Sequence, residues 1–464
     1  MATDRSITRG AIGPVLLRLA GPVIAAEAIH TAFHLVDVAW VGPLGAWASG
    51  AIMTSMFTLW MAFSLGNLVT TGLTAHVSRA IGAGDRERAG HAVAQGFHLC
   101  VALALVVMAA GYAGAPRLFT LLGEAPRTAA AGTAYLRIIT LGAPMSFLYL
   151  MGGSVMRACG NTVTPMIVTG SALALNAALA PFLIYGWAGA PRLGVAGSAV
   201  ATIFCMALAC AAYVVLALAG HPALPLSIAS LRRLDGAMLG SLVKVGAPST
   251  AIGALFSIVY LWYAKLAGPF GDAAVAVLGI GNRIESITYL TADGFAIAAA
   301  TFVGQNLGGR DPLRAEKGAW LATGIMSAIG GALMALFLLA PGPLLDAFTN
   351  DAEVIRMGVP YLRILALCQV FTGLEGVIGG GFAGAGNTVP PMAIHVAFAL
   401  LRIPMAAWAV GRLGLTGIAW VISLTCIVRA MMLAFWFSRG AWKRRVLPGT
   451  ETAPEAVPAP APVA

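Results

Sequence analysis

The sequence predicts an all-α membrane protein with twelve transmembrane helices arranged as two parallel six-helix repeats. Three observations carry that prediction. Hydrophobic residues make up 59% of the 464 residues and charged residues 10%, with a mean hydropathy of +0.86; a soluble domain carries about 25% charge. Apolar stretches of the roughly 20 residues needed to cross a bilayer recur along the chain, and in lipid such long apolar segments are helices. The chain also repeats itself without a gap at a spacing of 226 residues: Pro22 maps onto Pro248, Tyr135-Leu136-Arg137-Ile138 onto Tyr361-Leu362-Arg363-Ile364, and Gly160-Asn161-Thr162-Val163 onto Gly386-Asn387-Thr388-Val389. Many secondary transporters are doubled in this way, with the substrate path between the copies.

The first copy places spans 1 to 6 at about 15–40, 50–75, 90–114, 130–154, 163–187 and 194–219. The second places spans 7 to 12 at about 242–267, 274–302, 318–340, 358–382, 389–411 and 415–438. With the N-terminus inside, internal segments hold fifteen Lys and Arg residues, among them Arg79, Arg88, Arg310, Arg314 and Lys443, while external loops hold five. That positive-inside bias puts both termini in the cytoplasm. An even number of spans per copy makes the repeats parallel, related by a pseudo-twofold axis along the membrane normal. The expected units are a first lobe over 1–220, a cytoplasmic linker over 221–241, a second lobe over 242–440 and a disordered cytoplasmic tail over 441–464, where Pro and Ala dominate from about Val446. The net charge of +10 follows from topology, so nucleic-acid binding is not implied. The start carries no cleavable signal pattern, span 1 being too long for one. The six cysteines fall in or at the ends of spans without metal spacing and read as small packing residues; neither a cofactor nor a metal is expected.

A carboxylate inside a bilayer costs about 2.5–3.5 kcal/mol on insertion scales, so each one is a functional candidate. Five of eighteen acids lie within spans: Glu27, Asp37, Glu285, Asp293 and Glu375. Span 1 holds Glu27, His30, His34 and Asp37, which at about 100° per residue form one polar stripe roughly 15 Å long. A histidine beside a carboxylate can pass a proton, because imidazole titrates near neutrality; the bland reading is a helix–helix hydrogen-bond seam. Span 8 places Asn282, Glu285, Tyr289 and Asp293 within about an 80° arc, either a substrate or second proton site, or a seam in which Glu285 pairs with Arg283. Asp293 is the repeat partner of Asn67. Span 7 carries Phe256, Tyr260 and Tyr263, whose faces attract organic cations or else meet lipid. Pro22, Pro144, Pro181, Pro248 and Pro404 mark expected bends.

Several motifs carry a family likeness. Span 1 reads LAGPVIAAEAIHTAFHLVDVAWVGPLG, the loop after span 8 VGQNLGGRDPLRA, the junctions after spans 4 and 10 MRACGNTVTPM and FAGAGNTVPPM, and spans 6 and 12 open LGVAGSAVAT and LGLTGIAWVIS. Over about residues 10–440 the chain resembles the multidrug and toxic compound extrusion (MATE) family. The resemblance implies a V-shaped pair of lobes and efflux of organic, often cationic, compounds against inward proton or sodium flow. It implies a cation-coupling role for Asp37, with Asn176 and Thr202 in the same cluster; the family's further carboxylate position holds Ala180. Losing that carboxylate favours a proton over sodium, which wants several hard oxygens. The family's other carboxylate branch, in spans 7 and 10, finds no acid in span 7 and Thr372 at its span 10 position, with Glu375 one turn on. The loop IGAGDRERAG also matches a major-facilitator pattern, against which the GNT-x-P junctions weigh. The reading is a monomeric proton-coupled exporter in the bacterial inner membrane. Its alternatives are a sodium-coupled exporter, a lipid-linked precursor flippase, which would want extra helices and an Arg-rich cavity, and an intramembrane enzyme, for which no nucleophile–base set stands out.

Overall fold

The computed structural model describes residues 6–226 and 228–447. Every regular element among them is helical. The membrane-length units are α1 (Ile12–Val41), α2 (Ala46–Gly82), α3 (Arg86–Leu121), the bent α4 (Pro126–Leu141 and Ala143–Ala158), α5 (Val163–Tyr185), α6 (Val195–Leu218), α7 (Gly236–Ala267), α8 (Asp272–Gly308), α9 (Pro312–Leu339), the bent α10 (Ala352–Ala366 and Gln369–Gly384), α11 (Val389–Leu413) and α12 (Thr416–Ser438). Nine single helices and the two bent pairs are long and apolar enough to cross a bilayer; α2, 37 residues long, completes the twelve by length.

The two six-helix units meet through α1 and α2 on one side and α7 and α8 on the other. Without a hydrophobic drive between helices in lipid, close approach depends on small residues. A Cβ on Gly82 would lie 1.9 Å from the Gln305 carbonyl oxygen, and one on Gly308 2.0 Å from that of Arg79. Gly82 and Gly308 are repeat partners, as are Arg79 and Gln305, so the crossing obeys the pseudo-twofold relation residue by residue. Gly246 faces the Leu68 carbonyl in the same way, at 1.8 Å. Polar ties reinforce this end of the bundle: His76 Nε2 to Ser241 Oγ (2.9 Å), Gln305 Nε2 to Ala158 O (2.9 Å) and Arg79 to Ala385 O (2.8 Å).

Several expectations change. The second and eighth spans were expected to end near 75 and 302, yet α2 and α8 run on to Gly82 and Gly308. The added turns carry Ser78, Arg79, Gln305 and Asn306, all buried between the units rather than wetted. Of the five prolines, only Pro144 sits at a break; Pro22, Pro181, Pro248 and Pro404 lie inside continuous helices. α4 and α10 both bend by 51°, at Gly142 and at Leu367–Cys368, and Gly142 and Cys368 are repeat partners. In α10, which has no proline there, Gln369 Nε2 donates to Leu365 O (2.8 Å) and Thr372 Oγ1 to Cys368 O (3.0 Å), beside the backbone bonds that those carbonyls accept from Cys368 N and Thr372 N.

The tail does not start at 441. Ala441–Arg444 form a turn of 3₁₀ helix, with Trp442 fully buried and stacked on Phe437 at 4.4 Å, and Leu447 packs with Ala75 and Val245 between the units. An indole and a leucine had apolar surface to cover. The linker is docked on α3: Gln95 Nε2 donates to Arg233 O (2.8 Å) and His91 Nε2 lies 2.9 Å from Asp235 Oδ2. The His91 hydrogen bond, with backbone N–H groups from Met238 and Ala237, holds the Asp235 carboxyl below its ordinary range.

Candidate functional site

Two polar regions occupy the membrane-embedded part. The first joins α1, α5 and α6. Ser198 Oγ donates to Asp37 Oδ1 (3.0 Å), Asn176 Nδ2 donates to Thr202 Oγ1 (3.1 Å), and Thr202 Oγ1 donates to Ser198 O (3.0 Å). Asn176 is buried, and its Oδ1 has no donor among the described residues. α1 is pinned to α5 above this cluster by Trp40 Nε1 to Ala177 O (3.1 Å) and by Tyr185 Oη to Trp40 O. Asp37, Asn176 and Thr202 thus come together. Ser198 was missed, although it stands one helical turn before Thr202 and so had to share its face.

The second region is a cavity of about 660 Å3 between the units. Of the candidates in spans 7, 8 and 10, Phe256, Tyr260, Glu285, Tyr289, Asp293 and Glu375 line it, whereas Asn282 and Tyr263 do not. The aromatic residues form a wall, Phe256 lying 4.6 Å from Tyr260 and edge-on to Tyr289 at 6.4 Å. For Phe256 and Tyr260 the lipid-facing alternative is therefore wrong, because α7 turns this face toward α8; Tyr263 is packed in the core. Tyr260 Oη donates to Glu285 Oε2 (3.5 Å), and Cys368 Sγ approaches Oε1 at 4.0 Å. Glu285 makes no pair with Arg283, which points outward. Asp293 faces open space without a hydrogen-bond or ion-pair partner among the described residues, and the like charge of Glu27 reaches it.

Glu375 is different. Its Oε1 lies 2.5 Å from His395 Nε2 and its Oε2 2.9 Å from Arg429, with Cys426 Sγ at 3.6 Å. Arg402, beside it, donates to Thr425 Oγ1 (2.7 Å). A buried carboxylate held by an arginine and a histidine is a compensated network rather than an open cation site. Cys368 and Cys426 are buried in the core, as packing residues are, and also have polar neighbours here. Arg157, Arg402, Arg429 and His395 also line the cavity and were missed as site residues; lone basic residues inside apolar spans 11 and 12 were the available signal.

The polar stripe of α1 does not stay together. Glu27 lines the central cavity opposite Arg157, whose charge reaches it, whereas Asp37 belongs to the α5–α6 cluster. An 80° drift over about 15 Å separates the two ends. His30 is not among the residues lining the cavity. The side chain of His34 lies outside the described residues. No group of three His, Cys, Asp or Glu side chains suited to a metal occurs among the described residues.

Two six-helix units closing on a cavity in the membrane define a transport protein rather than an enzyme. The MatE family profile matches residues 22–182 and 248–408, segments whose ends are offset by the repeat spacing, and the chain belongs to that family of multidrug efflux transporters. It is 26% identical over 447 residues to the probable multidrug resistance protein NorM of Thermotoga maritima, covering 93% of each chain. It is 24% identical over 397 residues to an FAD transporter of Shewanella oneidensis, covering 85% of this chain and 88% of that one. Among solved structures, a transporter from Pyrococcus furiosus described as having a binding pocket of reversed polarity superposes with a TM-score of 0.88 at 22% identity, over 96% of this chain and all of that one. A MATE protein in a straight conformation superposes with a TM-score of 0.89 and one in a bent conformation with 0.88, each at 22% identity, over 96% of this chain. These structures speak for the two-lobe, twelve-helix fold.

Proposed function

We propose that the protein is a monomeric, proton-driven exporter of organic compounds in the bacterial plasma membrane, with both termini cytoplasmic, working by alternating access between its lobes. The observation that carries this reading is the α1–α5–α6 cluster, where one carboxylate, Asp37, stands among hydroxyls and an amide. A proton needs a single carboxylate; a dehydrated sodium ion wants several hard oxygens, and Ala180 supplies none. Deprotonated, Asp37 accepts from Ser198. Protonated, it becomes a donor, and the Ser198 bond must rearrange. The driving force suffices: about 1.4 kcal/mol per pH unit and about 2.3 kcal/mol per 100 mV together sustain a gradient of several hundredfold.

Substrate recognition falls to the central cavity. Phe256, Tyr260 and Tyr289 offer π-faces to organic cations, Asp293 and Glu285 offer negative charge, and Arg157, Arg402 and Arg429 extend the range to molecules bearing both signs. Glu375, already paired, tunes this wall.

Proteoliposomes loaded with a cationic dye test the coupling. An imposed inward pH gradient is expected to drive dye movement at any sodium concentration. Dye movement driven by sodium alone at fixed pH overturns the proton assignment.

A further inference from the structure

His395 on α11 faces an acceptor at each ring nitrogen. Nδ1 lies 2.8 Å from the carbonyl oxygen of Pro391, one turn back on the same helix, and Nε2 lies 2.5 Å from Glu375 Oε1 on α10. A backbone carbonyl only accepts, so Nδ1 carries hydrogen. A neutral imidazole has a single N–H, which would leave Nε2 with a lone pair aimed at a carboxylate oxygen. The contact with Glu375 therefore contains a further proton. Glu375 Oε2 accepts from Arg429 Nη2 (2.9 Å), a charge-assisted bond that is strongest with an ionised carboxylate, so the proton belongs to the ring.

Two further observations point the same way. The repeat partners of Glu375 and His395 are Tyr149 and Thr169, whose hydroxyls meet at 2.6 Å. Two hydroxyls share hydrogens without charge; the second lobe needs an ionic proton to make the same contact. The pair also faces the central cavity, which both side chains line. It stands near the closed end of that cavity: Thr388, which precedes α11, donates to Val245 O (2.7 Å) between the units, and His395 lies about 10 Å further along the helix. Around the ring, Arg402 on α11 itself and Arg429 on α12 oppose a positive charge. Glu375, and Glu285 and Asp293 on α8, favour it, while Cys426 on α12 and Tyr260 on α7 add a thiol and a phenol.

We propose that His395, held by Glu375, is a proton-carrying site of the second lobe, charged in this conformation and discharged when an organic cation occupies the cavity. Loss of the proton leaves lone pairs facing each other at 2.5 Å, so the ring or the carboxylate must turn away, and proton occupancy is tied to the contact between α10 and α11. A bound cation repels the imidazolium, which sets cation uptake against proton retention. The charge follows from the hydrogens in the contact; its exchange rests on the export of cations proposed above.

The test uses the full purified chain in detergent, labelled with 15N-histidine. His395→Gln removes one resonance and so identifies it, while its amide still donates to Glu375. The expected resonance at neutral pH is that of a charged imidazole, and in Glu375→Gln/Arg429→Met, where the carboxylate is gone, that of a neutral one. A neutral His395 in the native chain overturns the site. Proton release is then followed with a pH indicator as tetraphenylphosphonium is added, in Asp37→Asn so that the first lobe's carboxylate contributes nothing. Adding His395→Gln is expected to lower the release by about one proton per bound cation, and to remove a roughly tenfold rise in cation affinity per pH unit. Equal release with and without His395→Gln overturns the exchange. If the cation binds neither variant nor the native chain, the export of cations is at fault, and the resonance alone decides the charge on His395.

Discussion

The two lobes share a scaffold and carry opposite chemistry at matching positions. In α1, Glu27, His30, His34 and Asp37 form the polar stripe; their partners in α7 are Gly253, Phe256, Tyr260 and Tyr263. Asn176 of the coupling cluster corresponds to Arg402 of the charged wall. The neutral bond between Tyr149 Oη and Thr169 Oγ1 (2.6 Å) stands where the second lobe has Glu375 and His395 at 2.5 Å. Backbone geometry is retained even where its local cause is not: both lobes bend by 51° at matching residues, one after Gly142 with Pro144, the other with neither. At Gly142 a Cβ would meet Ile203 at 2.0 Å, so packing demands the small residue; at the partner position the larger Cys368 is fully buried. The difference teaches that the fold tolerates wide exchange of polar content, provided each buried charge finds a local solution.

If Glu375 of the second lobe is compensated and Asp37 of the first is functional, the two respond differently to mutation. The largest effect on stability is expected from Glu375→Gln, which strands Arg429: a loss of about 3–5 kcal/mol, read by thermal unfolding in detergent, with most of it recovered in Glu375→Gln/Arg429→Met. A single mutant as stable as the native protein breaks the idea of a compensated network. Asp37→Asn is expected to leave unfolding nearly unchanged and to cut gradient-driven export by about 100-fold or more; native transport by the folded mutant removes Asp37 from coupling.

Gly246→Ala places a Cβ against the Leu68 carbonyl and is expected to disfavour the observed lobe contact by about 1–3 kcal/mol. Cross-linking between α2 and α7 should fall, while Gly240→Ala, with open space around it, should change nothing. Equal cross-linking in both would mean that the crossing is looser than the glycine contacts indicate. Smallest is Asp293→Asn, expected to weaken binding of an organic cation about tenfold and to spare neutral compounds. A uniform loss for both ligand types would move Asp293 from recognition to structure.

Asp37, Asn176 and Thr202 were readable together through family likeness. The six cavity candidates were readable as costly or aromatic residues in apolar spans. Arg402, Arg429, His395 and Ser198 were not singled out, because each is unremarkable until its partner arrives. Arg429 and Glu375 are 54 residues apart, and Ser198 and Asp37 are 161 apart.

By itself the sequence determined the twelve helices, their duplication and the membrane setting. Lipid leaves an apolar segment no choice but helix, and a repeated segment repeats the outcome. Tertiary structure alone decided that the α1 stripe splits between two sites, that α2 and α8 extend as buried helix between the units, that Glu375 is neutralised, and that Trp442 closes the end of the second lobe. Each of these depends on which surfaces meet, and that is a property of packed helices rather than of any one span.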